Sequence, residues 1–370
     1  MVVDFTIRPY KTGDEKEIVE LLIHCFKGWP KFDLACPPLE HWTWKFIDNP
    51  FHMNIIFVAE KEKKIIGCTH STYSRIKIGK TIKLCSPGAD SAVHEQFRKY
   101  GIHTKLHKFK SEVWFEKKIG ISYGTSTNKY VLKTWKKSKR EPFPHPVINL
   151  IRIRDIDLFI TKNQTISSLR KHLLKYAIHL AKLYNLLEKV TTPPREKILG
   201  LKVTDIDRFD ERIDAFWERI KDSYSFITER TQEYLNWRYC DPRGGIYTVK
   251  QAVENGIIVG YIVLRVNRYV ESSPQGYVVD LCTFKNRLDC AETLVKKAVS
   301  FFDDAGVNVV NYWGVKGHPY IGIFKHLGFL DSRYKIGVGY DKININEEED
   351  TLKNLSPDEI LFQYGDSDWI

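Results

Sequence analysis

Val93-His-Glu-Gln-Phe-Arg-Lys-Tyr-Gly-Ile-His103 stands where an apolar extended run gives way to a helical pattern carrying Thr104, Lys105 and Leu106. A loop that opens a helix points unpaired backbone N–H groups and the positive end of the helix dipole at one spot, which is how a chain cradles a diphosphate. Gly101 lets the backbone approach such a group without a Cβ in the way. Arg98, Lys99, Lys105 and Lys108 surround it with cations, although a solvated helix face accounts equally for the two later lysines.

Outward from this stretch the patterning reads as strand, helix, strand, helix. A strand over about 81–94 leads in, and a helix over about 102–117 follows with Leu106, Phe109 and Val113 on one face. Ile119-Gly-Ile-Ser-Tyr then reads as a strand and a second helix starts near Asn128.

The same order returns later in the chain. Trp44-Lys-Phe with Pro50 precedes Asn54-Ile-Ile-Phe-Val-Ala and Lys64-Ile-Ile-Gly67. Trp237-Arg-Tyr with Pro242 precedes Ile246-Tyr-Thr-Val-Lys and Gly256-Ile-Ile-Val-Gly260. The tryptophan-to-glycine spacing is 23 residues in both. The second copy continues through Gly276-Tyr-Val-Val-Asp-Leu, a helix over about 289–304, a strand from Val307 to Trp313, and a helix from about Pro319 ending at Gly328. Two homologous α/β (α+β, mixed-sheet) domains are the simplest reading. The expected layout is a first domain over 1–160, an amphipathic connecting helix and linker over 161–199 interrupted at Thr191-Thr-Pro-Pro, a second domain over 200–345, and an acidic tail over 346–370.

The Val93–His103 stretch resembles the acetyl-CoA motif of the GNAT acetyltransferase superfamily, V-x-P-x-Y-R-x-x-G-I-G, with valine, aromatic, arginine, glycine and isoleucine in matching places. The resemblance implies a tandem GNAT architecture and acetyl-CoA as co-substrate, with no metal. It implies that the pantetheine arm runs beside Ser91, Ala92 and Val93, and that Arg98, Lys99, Tyr100, Gly101, Ile102, His103 and Thr104 form the diphosphate cradle. His103 departs from the pattern: it is turned outward, it contracts the site, or its imidazole donates to phosphate.

A family tyrosine that protonates the departing thiolate has its counterpart in Tyr130 of Tyr130-Val-Leu-Lys-Thr-Trp135, with threonine in place of the family glycine; otherwise Tyr130 is a helical residue packing on Trp135. A phenol suits the role because coenzyme A leaves as a basic anion. The base is open among Asp90, Glu95 and the C-terminal carboxylate of Ile370, since some multidomain relatives insert their chain end into the active site. The implied reaction is direct acetyl transfer to a primary amine of a small molecule, an amino sugar or sugar nucleotide being favoured, helped by holding both reactants together. In a gapless alignment of Leu294 with Leu106 the second copy has Asn286 for the arginine and Asp289 for Gly101, and Phe324-Lys-His-Leu-Gly-Phe329 keeps the spacing of the tyrosine pattern without a hydroxyl, so this copy reads as a degenerate, non-catalytic domain.

Composition fits this picture. A 43% apolar and 28% charged chain is globular, and a net charge of +11 suits an anionic partner. No apolar run approaches the ~18–20 residues that span a bilayer, and the N-terminus lacks a signal-peptide pattern, so a cytoplasmic protein without a membrane partner is expected. Seven cysteines without a C-x-x-C pair indicate neither a disulfide framework nor a zinc knuckle. The basic run Lys133–Arg140 raises nucleic-acid binding as a rival, but no recognised motif accompanies it. An acyltransferase for another acyl or aminoacyl donor, or a non-catalytic acyl-CoA-binding protein, keeps the fold and changes the chemistry.

Overall fold

The computed structural model describes residues 4–137, 140–162, 200–270, 273–345 and 352–368. The expected connecting helix and the acidic residues 346–350 lie outside them. In the first repeat, β1 (Thr6–Pro9), α1 (Glu15–Phe26) and α2 (Pro38–Phe46) lead into β2 (Phe57–Lys61), β3 (Lys64–Ser71), β4 (Ser74–Ile78) and β5 (Thr81–Val93). Helix α3 (Ile102–Glu116), β6 (Ile121–Ser126), α4 (Lys129–Lys137), β7 (Glu141–Pro142), β8 (Val147–Ile153) and α5 (Ile156–Lys162) follow.

The second repeat starts with β9 (Lys202–Ile206), α6 (Arg212–Ile220), β10 (Phe226–Thr228) and α7 (Gln232–Leu235), then β11 (Thr248–Glu254), β12 (Ile257–Asn267) and β13 (Gln275–Thr283). It closes with α8 (Leu288–Asp304), β14 (Val309–Val315), α9 (Pro319–His326) and β15 (Leu330–Lys342). The helices and strands expected around the motif and in the second copy are present with small shifts at their ends.

The strands of the two repeats are not kept apart. Among the described residues 15 strands form one mixed sheet, with β1-β2-β3-β5-β6 at one end, β14-β13-β12-β11-β9 at the other, and β15 and β8 between. Strand β8 follows the first repeat in sequence but pairs with β14 of the second. Strand β15 pairs with β8 near its start, then through Gly337–Lys342 with β6 of the first repeat. Each repeat thus completes its sheet with a strand from the other's side of the chain, and β10 adds to β4 in the same way.

The tryptophans that flagged the repeat meet each other. Trp44 and Trp237 stack with ring centroids 4.9 Å apart. Each indole N–H donates to the other's backbone carbonyl, at 3.1 and 3.3 Å. This reciprocal contact is what a pseudo-two-fold relation between two copies of one motif produces.

Residues 352–368 are not a loose tail. Leu352, Ile360, Leu361 and Phe362 are almost fully buried in the large core shared with the second repeat, and Phe362 packs on Tyr123 and Phe143. Burial of such side chains is worth about 1.5–3 kcal/mol each, enough to hold the segment between the repeats.

Helix α3 differs from its expected face. Its buried stripe is Ile102, Leu106, Lys110 and Trp114, whereas Phe109 is 42% exposed. The i, i+4 stripe lies against β2, β3 and β5, and one of its members is a lysine that apolar periodicity passes over.

Candidate active site

Strands β5 and β6 run parallel and are paired only from Cys85 to Pro87 and from Ile121 to Tyr123. Beyond that point they part: β5 continues beside β3 through Ser91, Ala92 and Val93, while β6 continues beside β15. A V-shaped cleft opens at Gly88 and Gly124, with α3 on one flank.

The wall of the cleft is backbone. The His94 N–H donates to Ile66 O at 3.0 Å, so by strand alternation the N–H groups of Ser91 and Val93 point away from β3 and into the cleft. No side chain among the described residues accepts from either. Ser91 Oγ is hydrogen-bonded to Thr69 Oγ1 at 2.7 Å, Ala92 is buried, and the Val93 carbonyl accepts from Arg98 Nε at 3.1 Å.

Residues 94–101 then turn into α3. Lys99 and Gly101 both have left-handed backbone, φ +74° and +76°, and Gly101 caps the helix with open space where a Cβ would stand. Ile102 anchors the first turn in the core, while Tyr100, His103 and Thr104 are exposed beside it. His103 faces His107, one turn on, with ring centroids 6.4 Å apart. Tyr130, near the start of α4, is 83% exposed.

On the opposite side of the sheet, past Pro87, lies a cavity of about 50 Å³ between the repeats. It is lined by aromatic residues including Trp44, Tyr73 and Trp237, by Lys45 and Arg238, and by the chain's last described residues, Asp366 to Asp368. Lys45 and Arg238 follow the paired tryptophans and so occupy equivalent places in the repeat.

Lys45 carries two carboxylates, Asp90 at 2.9 Å and Asp368 at 2.6 Å. Burial alone would raise Asp90, but Lys45 outweighs it and holds Asp90 below the usual carboxylate range. Burial pushes Asp368 up to about 6, with the charge of Asp90 adding to the shift and Lys45 opposing it. Two carboxylates sharing one ammonium are thus driven apart, one kept ionised and the other able to exchange a proton near neutrality.

Two buried histidines border this group. His70 accepts from the Trp42 indole at 3.0 Å through Nε2, which leaves Nδ1–H to donate to Asp90 O at 2.8 Å. Burial lowers His70 to about 4 and His41 to about 3, so both are neutral. Asp90 thus lies behind Lys45, with its carboxylate spent on that ammonium. Glu95 lies elsewhere, on the surface against His24 at 2.9 Å and near His94. Ile370 lies outside the described residues, two positions beyond Asp368.

Residues 6–132 match the family model described as an acetyltransferase (GNAT) domain. The first part of the chain is a GNAT domain. Solved structures share its fold across nearly the whole chain. A probable N-acyltransferase from Enterococcus faecalis V583 is 10% identical with TM-score 0.59, over 92% of this chain and 73% of that one. A tandem GNAT protein from the clavulanic acid biosynthesis pathway is 12% identical with TM-score 0.57, over 93% and 100%. Saccharomyces cerevisiae N-myristoyltransferase, solved with myristoyl-CoA and inhibitors, is 11% identical with TM-score 0.59, over 98% and 87%. No curated protein matches. The chain as a whole has the fold of tandem GNAT proteins, and its residues 6–132 match the GNAT domain model.

Lys45, Asp368, His41 and His70 escaped the reading of the sequence. Lys45 had a signal, since it sits inside the Trp-Lys-Phe copy of the repeat; Asp368 had one only in the unusual Asp366-Ser-Asp-Trp-Ile370 ending. The second repeat also needs a different alignment from the gapless one. Gly260 pairs with Thr283 as Gly67 pairs with Val93, so Asp280 answers to Asp90. Only residues 284–287 separate β13 from α8, against 94–101 between β5 and α3. Asp289 therefore lies inside the first turn of α8, ion-paired to Arg287 at 3.0 Å, and does not stand in for Gly101.

Proposed function

We propose that the chain transfers the acetyl group of acetyl-CoA to a primary amine of a small molecule, an amino sugar or sugar nucleotide being favoured. The observation that carries this reading is the open cleft between β5 and β6, with the Ser91 and Val93 N–H groups free at its wall and the Gly101-capped helix at its mouth. An extended amide-bearing arm pairs with such an edge as another strand would, and its diphosphate fills the positive helix start.

The acceptor approaches from the opposite face and places only its amino group in the small cavity beside Lys45. Asp368 takes the proton from the attacking ammonium, directly or through one water, in its ionised state above about pH 6. Lys45, itself anchored by Asp90, holds that carboxylate in place. Aromatic walls formed by Trp44 and Trp237 suit the flat faces of a sugar ring, and Arg238 suits an acidic substituent on it. The new C–N bond forms as the C–S bond breaks, without a covalent enzyme intermediate.

Release of free coenzyme A from acetyl-CoA against a panel of amino sugars, sugar nucleotides, peptides and polyamines tests the reading. Turnover with an amino sugar supports it. Thermal shifts with coenzyme A, acetyl-CoA and longer acyl-CoAs decide the donor, because a ligand of the folded state raises apparent stability. Stabilisation by long acyl-CoAs and not by acetyl-CoA would replace the acetyl group with a longer chain.

A further inference from the structure

Lys110 lies in the middle of α3 with 4% of its surface exposed. Its ammonium donates to one acceptor, the His70 carbonyl at 3.1 Å, and stands 4.8 Å from the centre of the Trp114 ring. No carboxylate among the described residues pairs with it. A buried lysine without a counter-charge is costly by several kcal/mol, and a lysine stem could be replaced there by an apolar side chain at no loss of packing. One hydrogen bond and one ring contact do not offset that cost.

Its position gives it a use. Ser71, the residue after His70, pairs with Gly88, the first residue of β5 beyond its contact with β6. Lys110 therefore sits level with the vertex of the cleft, where an arm paired along Val93 and Ser91 would bring its thioester. The groups around it are His103 and His107 on α3, His70 on β3, and Arg140 beyond α4. Arg140 Nη1 lies 3.1 Å from where a Cβ on Gly124 would stand, and Asp341 on β15 balances its charge. Around the vertex the unbalanced charge is positive, which suits a sulfur that becomes an anion.

We propose that Lys110, and not Tyr130, is the acid that protonates the sulfur of coenzyme A. The inference rests on the acyltransferase reading above. As the acyl carbon–sulfur bond breaks, the electron pair leaves on sulfur and takes a proton from the Lys110 ammonium, leaving a neutral amine that solvent reprotonates. The proton removed from the attacking amine goes to Asp368, so the two ends of the reaction are served from opposite faces of the sheet. Burial, with Arg140 adding repulsion, lowers Lys110 to about 7, so it parts with a proton readily at neutral pH. Tyr130, by contrast, is 83% exposed, and no group among the described residues holds its hydroxyl toward the vertex.

Single-turnover release of coenzyme A from acetyl-CoA, with hydroxylamine as an acceptor small enough for a cavity of about 50 Å³, reads the step directly. Lys110→Met is expected to melt at or above the wild-type temperature, to bind acetyl-CoA within threefold, and to lose about 100-fold in rate. Its rate should no longer fall above pH 7. Lys110→Arg, which keeps the charge but holds its proton, should lose a similar factor and decides the matter if the methionine variant does not fold. Tyr130→Phe should stay within fivefold. A Lys110→Met or Lys110→Arg rate within threefold of wild type overturns the inference alone, as does transfer of the alkaline limb to Tyr130. Failure of the wild-type protein to bind acetyl-CoA or accelerate the reaction overturns the acyltransferase reading and this inference together.

Discussion

The two repeats build the same diverging pair of strands and treat the gap in opposite ways. In the first, the N–H groups of Ser91 and Val93 face an open cleft. In the second, the equivalent N–H groups of Leu281 and Thr283 are already taken. The side chain of Gln363 accepts from Leu281 N at 3.1 Å and donates to Leu281 O at 2.9 Å, and the Tyr320 hydroxyl accepts from Thr283 N at 3.0 Å. The Gln363 amide pairs with the strand much as an amide of a pantetheine arm would. Phe324 then stacks on Tyr312 at 3.7 Å and closes the space in which α4 leaves Tyr130 exposed. The loop ahead of the helix is also shorter by half. The gap left open in the first repeat is filled in the second by the chain's own side chains.

The same contrast holds for the charges beneath. Asp90 pairs with Lys45, which borders a cavity together with Asp368, whereas Asp280 is sealed with Arg230 and Asp366, all three almost inaccessible. The C-terminal segment supplies a carboxylate to both clusters, two positions apart. One cluster is available for proton exchange and the other for cohesion.

The largest test of this difference is Arg230→Met. It strands two carboxylates in the core and should lower unfolding stability by about 3–5 kcal/mol in urea titration. Lys45→Met should cost far less because its carboxylates reach water. Next, Gly101→Asp should weaken acetyl-CoA binding at least about 100-fold in calorimetry, through left-handed strain of about 1–2 kcal/mol and repulsion of the diphosphate. A change of under fivefold would remove the cradle from the account. Asp368→Asn should lower kcat about 100-fold and abolish the rise in rate near pH 6.

A smaller effect concerns acid. The folded-state pKa of His70 lies below its ordinary value of 6.5, so the unfolded chain takes the proton first. The stability linked to that histidine is complete above about pH 6.5 and is lost as pH falls toward 4, about 2 kcal/mol of it by pH 5. Val263 occupies the matching place in the second repeat, so His70→Gln should flatten the pH dependence of the melting temperature. Smallest of all, Tyr320→Phe should cost about 1 kcal/mol and create no second acyl-CoA site.

Much of this architecture was legible in the sequence. Alternation and helical periodicity located β5, α3, β6 and their second-repeat counterparts, and the Trp-Lys-Phe and Trp-Arg-Tyr copies marked the repeat. Local patterns could not show that β8 and β15 cross between the sheets, because strand partners are chosen by the whole assembly. Nor could they show that Asp368 returns to Lys45 across more than 300 residues, or that a lysine within α3 faces inward. Sites made by convergence leave only single residues in the sequence, and the gapless alignment misplaced Asp289 because loop length is where diverged repeats differ most.

The central claim is that one cleft, in the first repeat, accepts the acyl-CoA. Calorimetric titration of the full chain with acetyl-CoA tests it most directly. The account predicts one molecule bound per chain, with binding lost in Gly101→Asp and kept in Tyr320→Phe. Two molecules per chain, or unchanged binding in Gly101→Asp, would contradict it.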